Sequence, residues 1–254
     1  MGFELTFIQV FVCGIAFFGA GMIDSISGGG GLITIPVMLA LGIPTHLITG
    51  TNLASAWVGT GVAAGKFIKS KNVHWKSALV TLPFAVVSSS LGAKLNLLMP
   101  DQYLRIFMIA AIPCIAIFLL FNKQFGEHDL AAEQSVRRIV IWSVLTGIVL
   151  GAYMGFYGPG AGLFFMLSYA AFLKMNMVRA NGTARFVIAI AMIASVITYA
   201  LSGAVIWKLV IVATVFNIAG SYIGASLAIK KGTRIIRPVM FIVLALLIVK
   251  IVFG

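Results

Sequence analysis

Charged residues are scarce in this chain, and several long stretches contain none. Asp, Glu, Lys and Arg together make up 9% of the 254 residues, whereas hydrophobic residues make up 61%. Soluble globular domains carry about 25% charged residues, so this composition excludes an ordinary soluble protein. Because a bilayer-crossing helix needs about 20 mainly apolar residues, we predict an all-α polytopic membrane protein surrounded by the lipid bilayer. The uncharged stretches are residues 5–23, 25–65, 77–93, 106–122, 139–173, 186–207 and 209–229.

Residues that bind metals or act as nucleophiles are few and scattered. The chain has 2 cysteines and 3 histidines. Neither Cys13 nor Cys114 has a second cysteine or a histidine at the spacing of a metal site. No Ser/His/Asp or Cys/His arrangement is indicated either. We therefore expect no metal site, no cofactor, no catalytic residue and no enzyme activity.

The chain matches itself after a shift of 132 residues without a gap. Gly-Thr at 50–51 falls on Gly-Thr at 182–183, and Trp-Lys at 75–76 falls on Trp-Lys at 207–208. Such coincidences do not follow from an apolar composition alone, so we predict two homologous halves. The predicted boundaries are 1–122 for the first half, 123–137 for a cytoplasmic linker and 138–254 for the second half.

Each half contains five apolar segments, of which the second is only about 11 residues long. A helix of that length spans about 16 Å and is too short to cross alone, so we expect about 8–10 membrane segments, including short broken helices. An odd number of crossings per half gives an inverted repeat, which is typical of secondary transporters. An even number gives parallel repeats if the short segments are re-entrant. The predicted segments are 5–23, 31–41, 47–68, 77–98, 104–121, 138–157, 163–173, 181–203, 207–229 and 236–253.

Basic residues outnumber acidic ones, with 18 Lys and Arg against 6 Asp and Glu. A basic excess is also found in nucleic-acid-binding proteins, but no soluble domain is present to hold such a partner, and we expect none. In membrane proteins Lys and Arg collect in cytoplasmic loops. This rule places the linker and residues 66–76 and 230–237 in the cytoplasm, and the 42–48 turn and both termini outside. We therefore expect a multi-pass protein of the bacterial inner membrane.

Glycines interrupt both halves at equivalent places. Each glycine costs nearly 1 kcal/mol in a helix, and irregular backbone survives at membrane depth only inside protein or beside an aqueous cavity. Free N–H groups and helix N-termini favour an anion, so we predict that the two breaks bind a small anionic substrate. The alternative is close helix packing through small residues. The glycines assigned to the site are Gly28, Gly29, Gly30, Gly31, Gly160 and Gly162.

A second pair of motifs, Gly-Thr-Asn at 50–52 and Asn-Gly-Thr at 181–183, opens a long segment in each half. Their polar side chains are predicted either to bind substrate oxygens or to cap the helices. Arg185 follows closely and is predicted either to bind an oxyanion through two hydrogen bonds or to extend to the membrane interface. The remaining predicted substrate ligands are Thr51, Asn52, Asn181 and Thr183.

Asp24 is the one acidic residue with long apolar sequence on both sides. A carboxylate within a membrane is costly, and such residues commonly relay protons. We therefore predict Asp24 as the proton-coupling residue. The competing interpretation is that Asp24 caps the following short helix or pairs with an interfacial lysine.

Four features of the first half follow one another along the chain: Ser-Gly-Gly-Gly-Gly-Leu at 27–32, Pro36, Gly-Thr-Asn at 50–52 and the basic loop that ends in Val-His-Trp at 73–75. With these motifs the first half resembles the sulfite exporter TauE/SafE family of membrane permeases. A degenerate second copy, with Pro159 and an alanine inside its glycine run, extends the resemblance to nearly the whole chain.

The resemblance implies a secondary transporter that moves small sulfur-containing or organic anions, such as sulfite, sulfonates and sulfoacetate-like compounds, in a proton-coupled manner. Two other functions are compatible with the residues. One is an anion channel of the same fold, and the other is a membrane-embedded enzyme, which the lack of catalytic groups disfavours. The sequence does not indicate an oligomeric state.

Overall fold

The computed structural model describes residues 6–100 and 129–242, and the regular elements in these two ranges are helices. A 3₁₀ turn, Ala131–Glu133, precedes the second half, and residues 233–242 are helical. The predicted segment at 104–121 and residues 123–128 of the predicted linker lie outside the described residues. The long and short α-helices are α1 (Phe7–Ser27), α2 (Gly31–Ala40), α3 (Thr45–Lys69), α4 (Trp75–Leu98), α5 (Val136–Phe156), α6 (Ala161–Phe172), α7 (Met177–Leu201) and α8 (Trp207–Lys231).

Five of these helices are long and apolar enough to cross a membrane, which confirms the predicted all-α membrane protein. Helix α3 has a sufficient length of 25 residues. The mean hydropathy of α3 is lower than that of the five spans, because α3 carries polar side chains. These side chains are buried inside the protein. These side chains include Thr51, Asn52, Ser55 and Thr60. The five spans are Gln9–Ser27, Trp75–Leu98, Val136–Phe156, Met177–Leu201 and Trp207–Lys231.

Several helix ends differ from the predicted segments. Helix α1 continues four residues past its predicted end and stops at Ser27, because Gly28 adopts a left-handed φ of 84°. Helices α3 and α7 begin at Thr45 and Met177, earlier than predicted, with Pro44 and Asn176 at their N-caps. The motifs at 50–52 and 181–183 therefore lie in the second turn of each helix. The interpretation that they cap the helices is wrong.

The two halves share one pattern of helices and of packing. Helices α3 and α7 begin and end 132 residues apart. Helix α1 packs on α8, and their counterparts α5 and α4 pack on each other. Helices α3 and α7 contact each other. In addition, α3 contacts α8 and α7 contacts α4. The long helices therefore bury much of their surface against the other half.

Equivalent hydrogen bonds join the halves at both ends of α3 and α7. The backbone N–H of Ile206, just before α8, donates to Thr51 Oγ1 at 3.0 Å. The backbone N–H of His74, just before α4, donates to Thr183 Oγ1 at 2.9 Å. A shift of 132 residues converts one bond into the other. Each threonine therefore forms a hydrogen bond with the segment that connects two helices of the other half.

Helices α3 and α7 run antiparallel. The start of each helix contacts the connection that follows the end of the other. Near their midpoints, Trp57 Nε1 donates to the carbonyl oxygen of Ala189 at 3.0 Å, and these residues occupy equivalent positions in the repeat. The inversion of the halves within the membrane stays a prediction, and this antiparallel packing of equivalent helices favours it.

The charge pattern leads to a labelling prediction. In a background with both native cysteines replaced, we expect His46→Cys to react with an impermeant maleimide added to spheroplasts. Lys69→Cys and Arg234→Cys are expected to be protected, because the basic loops that contain them are predicted to be cytoplasmic. All three native side chains are exposed, so protection would reflect the side of the membrane and not burial. Labelling of Arg234→Cys from outside would contradict the inverted arrangement.

Candidate substrate site

Both glycine breaks meet at a small cavity between the middles of α3 and α7. The cavity has a volume of about 50 Å³. Its walls come from both halves, and it lies halfway along α3 and α7, as expected of a substrate site at the membrane midplane. The lining residues are Phe17, Ala20, Asp24, Gly30, Gly31, Thr34, Asn52, Leu53, Ala56, Thr60, Met154, Gly158, Gly160, Ala161, Gly162, Arg185, Ile188, Met192 and Asn217.

An ion pair between Arg185 and Asp24 forms the charged part of this cavity. One terminal nitrogen of the guanidinium donates to the Asp24 carboxylate and the other donates to the Asp24 backbone carbonyl. The Arg185 Nε donates to Asn181 Oδ1 at 3.2 Å. Arg185 is only 1% exposed, so the interpretation that it extends to the membrane interface is wrong.

Asp24 also holds the start of the short helix α2. Its Oδ1 accepts a hydrogen bond from the backbone N–H of Gly30 at 3.2 Å, and a carboxylate at that end of a helix is favourable. The side chain of Asp24 is 24% exposed. The structure therefore shows the predicted capping contact, and the charged partner is Arg185 rather than a lysine.

Glycines allow the backbone of the two breaks to come together. The N–H of Leu163 donates to the carbonyl oxygen of Gly28 at 2.9 Å, and a Cβ on Gly28 would lie 2.1 Å from that nitrogen. Gly160 precedes α6 with a left-handed φ of 76°. A Cβ on Gly162 would lie 2.6 Å from a terminal nitrogen of Arg185. Side chains at these places would separate the breaks or displace the guanidinium.

We expect Gly162→Ala to reduce transport about tenfold or more, because the added methyl group displaces the buried guanidinium from its partners. The comparison variant is Gly61→Ala on α3, where a Cβ would meet nothing within 4 Å. Initial uptake rates in proteoliposomes, normalised to folded protein, measure the difference. Equal activities in the two variants would show that the space beside Arg185 is not needed.

The cavity contains polar residues that were not predicted. Thr34 Oγ1 donates to Asn52 Oδ1 at 2.5 Å, so a residue of α2 fixes the amide on α3. Thr60 lies two turns beyond Asn52 on the same face of α3. Asn217 enters from α8 and donates to the carbonyl oxygen of Phe17 at 3.2 Å. Thr34 follows the glycine break by one turn, which is a usable sequence signal.

The structure places the predicted site residues in two groups. The first group lines the cavity and consists of Asp24, Gly30, Gly31, Asn52, Gly160, Gly162 and Arg185. The second group lies outside the lining and consists of Gly28, Gly29, Thr51, Asn181 and Thr183. The two threonines bind connecting segments, and the Asn181 amide donates to the carbonyl oxygens of Ser25 and Ile26 at 2.9 and 3.0 Å. Substrate binding by any of these residues stays a prediction.

The charges of the cavity break the symmetry of the repeat. The position equivalent to Asp24 is Phe156, and the position equivalent to Arg185 is Leu53. Among the described residues that line the cavity, one carboxylate and one guanidinium are therefore present, each supplied by a different half. Within residues 6–100 and 129–242, no group of three or more His, Cys, Asp or Glu could hold a metal ion.

Comparisons with known proteins identify the relatives of this chain. The family model for the sulfite exporter TauE/SafE matches residues 13–251. The probable membrane transporter protein YfcA of Escherichia coli K12 is 31% identical over 99% of this chain and 93% of its own length. A probable membrane transporter protein of Haemophilus influenzae is 30% identical over 93% of this chain and 92% of its own length.

A third relative, the probable membrane transporter protein ORF9 of Sinorhizobium sp, is 30% identical over 94% of this chain and 91% of its own length. No solved structure matches the chain. The family model covers nearly all of the sequence, and the structure supplies apolar helices long enough to cross a bilayer. The chain belongs to the sulfite exporter TauE/SafE family and is a multi-pass transporter of the cell membrane.

Proposed function

We propose that this transporter moves a small oxyanion, sulfite or a small sulfonate, together with a proton. The anion binds in the central cavity beside Arg185, and Asp24 takes the proton. The observation that carries this proposal is a buried guanidinium, paired with a carboxylate, in a cavity between two glycine breaks. The polar groups of Asn52 and the helix start at Gly162 complete the set of groups that can face an oxyanion.

The size of the cavity favours a small substrate. A water molecule needs about 10–15 Å³ of such volume, so about 50 Å³ accommodates three to five water-sized groups. An oxyanion with four or five non-hydrogen atoms fits this space. Larger sulfoacetate-like compounds require the cavity to widen, which makes them the less favoured members of the predicted substrate class.

The charge of the cavity supports proton coupling. Asp24 and Arg185 compensate each other, so a bound anion adds one uncompensated negative charge in a medium of low dielectric constant, which is costly. A proton on Asp24 removes that charge. The same proton weakens the pairing of Asp24 with Arg185 and frees the guanidinium for hydrogen bonds to the anion. Binding of the anion and of the proton are therefore favourable together.

Uptake into proteoliposomes that contain the wild-type protein tests the proposal. Labelled sulfite and methanesulfonate are supplied with an inward proton gradient, with ionophores that collapse it, and with empty liposomes as controls. Uptake that the gradient stimulates supports the proposal. Flux that follows the membrane potential and ignores the gradient indicates the anion channel, and no uptake of either anion overturns the proposed substrate class.

A further inference from the structure

The last turn of α1 is held by two side chains of α7. Asn181 donates to the carbonyl oxygens of Ser25 and Ile26, and Arg185 donates to the carbonyl oxygen of Asp24. Asn181 and Arg185 are 0% and 1% exposed. Carbonyl groups at the end of a helix lack partners within the helix, and Asn181 supplies donors to two of them. The Asp24 carbonyl oxygen accepts the guanidinium in addition to the backbone N–H of Gly28 at 2.7 Å.

Asn181 and Arg185 act as a connected pair. Asn181 Oδ1 accepts the hydrogen bond of Arg185 Nε at 3.2 Å while its amide nitrogen serves α1. The guanidinium donates its remaining bonds to the carboxylate and the carbonyl of Asp24. An anion that takes over the terminal nitrogens of Arg185 therefore removes a donor from α1 as well as from the Asp24 side chain.

The second glycine break is held differently. The Asn96 amide donates to the carbonyl oxygen of Phe156 at 2.6 Å, and Tyr199 Oη donates to that of Gly155 at 2.8 Å. Both donors are neutral, and neither lines the cavity. A bound anion does not compete for them, so the end of α5 keeps its partners when the substrate arrives.

Two further features are compatible with movement of the end of α1. The hydroxyl of Ser25 is buried and has no hydrogen-bond partner among the described residues. Buried polar groups are nearly always paired, so this turn leaves one polar group unsatisfied. The turn is followed directly by Gly28, whose left-handed φ suits a hinge.

We infer that Asn181 and Arg185 form a clamp on the last turn of α1, and that an anion at Arg185 opens it. Asn181 is a positioning residue that acts through Arg185 and α1, and not a ligand of the substrate. The trigger, which is the binding of an anion at Arg185, rests on the proposed function. The clamp itself is a property of the protein without substrate, which keeps the two ideas separable.

Hydrogen–deuterium exchange of the full chain in lipid nanodiscs measures the clamp. Asn181→Ala removes both bonds to α1, and we expect amide exchange in residues 24–31 to rise about fivefold or more. Asn181→Asp keeps the acceptor for Arg185 but loses the amide donor, so it is expected to act in the same direction. Asn96→Ala is the matched control and is expected to affect residues 156–163 alone.

Sodium sulfite added to the wild-type protein, against sodium chloride of equal ionic strength, tests the trigger. We expect faster exchange in residues 24–31 and no change in residues 156–163.

In uptake assays, Asn181→Ala is expected to lower the maximal rate about tenfold with less than about a twofold change in half-saturating concentration. Normal exchange in both Asn181 variants overturns the clamp, whether or not sulfite is transported. Transport of sulfite without faster exchange in residues 24–31 overturns the trigger alone, and a raised half-saturating concentration with normal exchange identifies a substrate ligand.

Discussion

Uptake of methanesulfonate by Arg185→Ala protein is expected to fall about 100-fold or more below that of the wild type. Arg185 is the one cationic side chain among the described residues that line the cavity. Hydrogen bonds to charged groups contribute about 1.5–3 kcal/mol each, and two such bonds to an oxyanion correspond to a factor of about 100 or more. Initial rates over a range of substrate concentrations give the loss in apparent affinity.

Alanine at this position also leaves the partly exposed Asp24 carboxylate without its charged partner, which is expected to destabilise the protein. Arg185→Lys avoids that problem because it keeps the charge. We expect it to fold and to bind the anion about tenfold more weakly, since lysine lacks the planar fork. Arg179→Ala is the matched control, because Arg179 forms a partly exposed pair with Asp129 away from the cavity. Unchanged affinity in both Arg185 variants would remove the residue from the substrate site.

The response to a proton gradient is expected to disappear in Asp24→Asn protein. The carboxamide has the shape of the carboxyl group and can still accept the hydrogen bond from Gly30, but it takes up no proton in the working pH range. Arg185 then lacks a charged competitor, so anion exchange across the membrane is expected to continue, with apparent affinity tighter by about tenfold.

Methanesulfonate is the suitable probe for this comparison, because a sulfonate stays ionised over the working pH range and leaves only the protein to titrate. Uptake is measured with and without an inward proton gradient, and exchange is measured with substrate on both sides. Asp129→Asn is the matched control, since it neutralises a carboxylate outside the cavity. Full stimulation by the gradient in Asp24→Asn would assign the proton to another group.

The membrane-spanning helices were predictable because apolar length depends on local sequence alone. Their ends were less so. Helix α1 continues to Ser27 because α7 side chains satisfy its final carbonyl groups, and a contact across more than 150 residues gives no local signal. Helices α3 and α7 begin at Thr45 and Met177, earlier than the predicted 47 and 181, because they start directly after their N-cap residues Pro44 and Asn176.

The repeat predicts Thr51 and Thr183 as equivalent substrate ligands, which stays a prediction. The structure shows what else they do, since each hydroxyl accepts a hydrogen bond from a segment that connects two helices of the other half. The positions equivalent to Asp24 and Arg185 in the other half hold apolar residues, so the repeat does not predict these two charges. Asn217 is a further example, since its counterpart is Ala85. Thr51 and Thr183 are equivalent and join helix connections, whereas Asp24, Arg185 and Asn217 have no polar equivalent and line the cavity.

The interlocked packing of the halves has a consequence for biosynthesis. Helix α1 packs on α8, which lies near the other end of the chain. Asp24 pairs with Arg185, which is 161 residues downstream. At about 5–20 residues per second, a ribosome needs roughly 10–30 s to cover that distance. Until then the Asp24 carboxyl group lacks its guanidinium partner. A ribosome that stalls before the second half therefore leaves behind membrane segments whose packing partners have not been made.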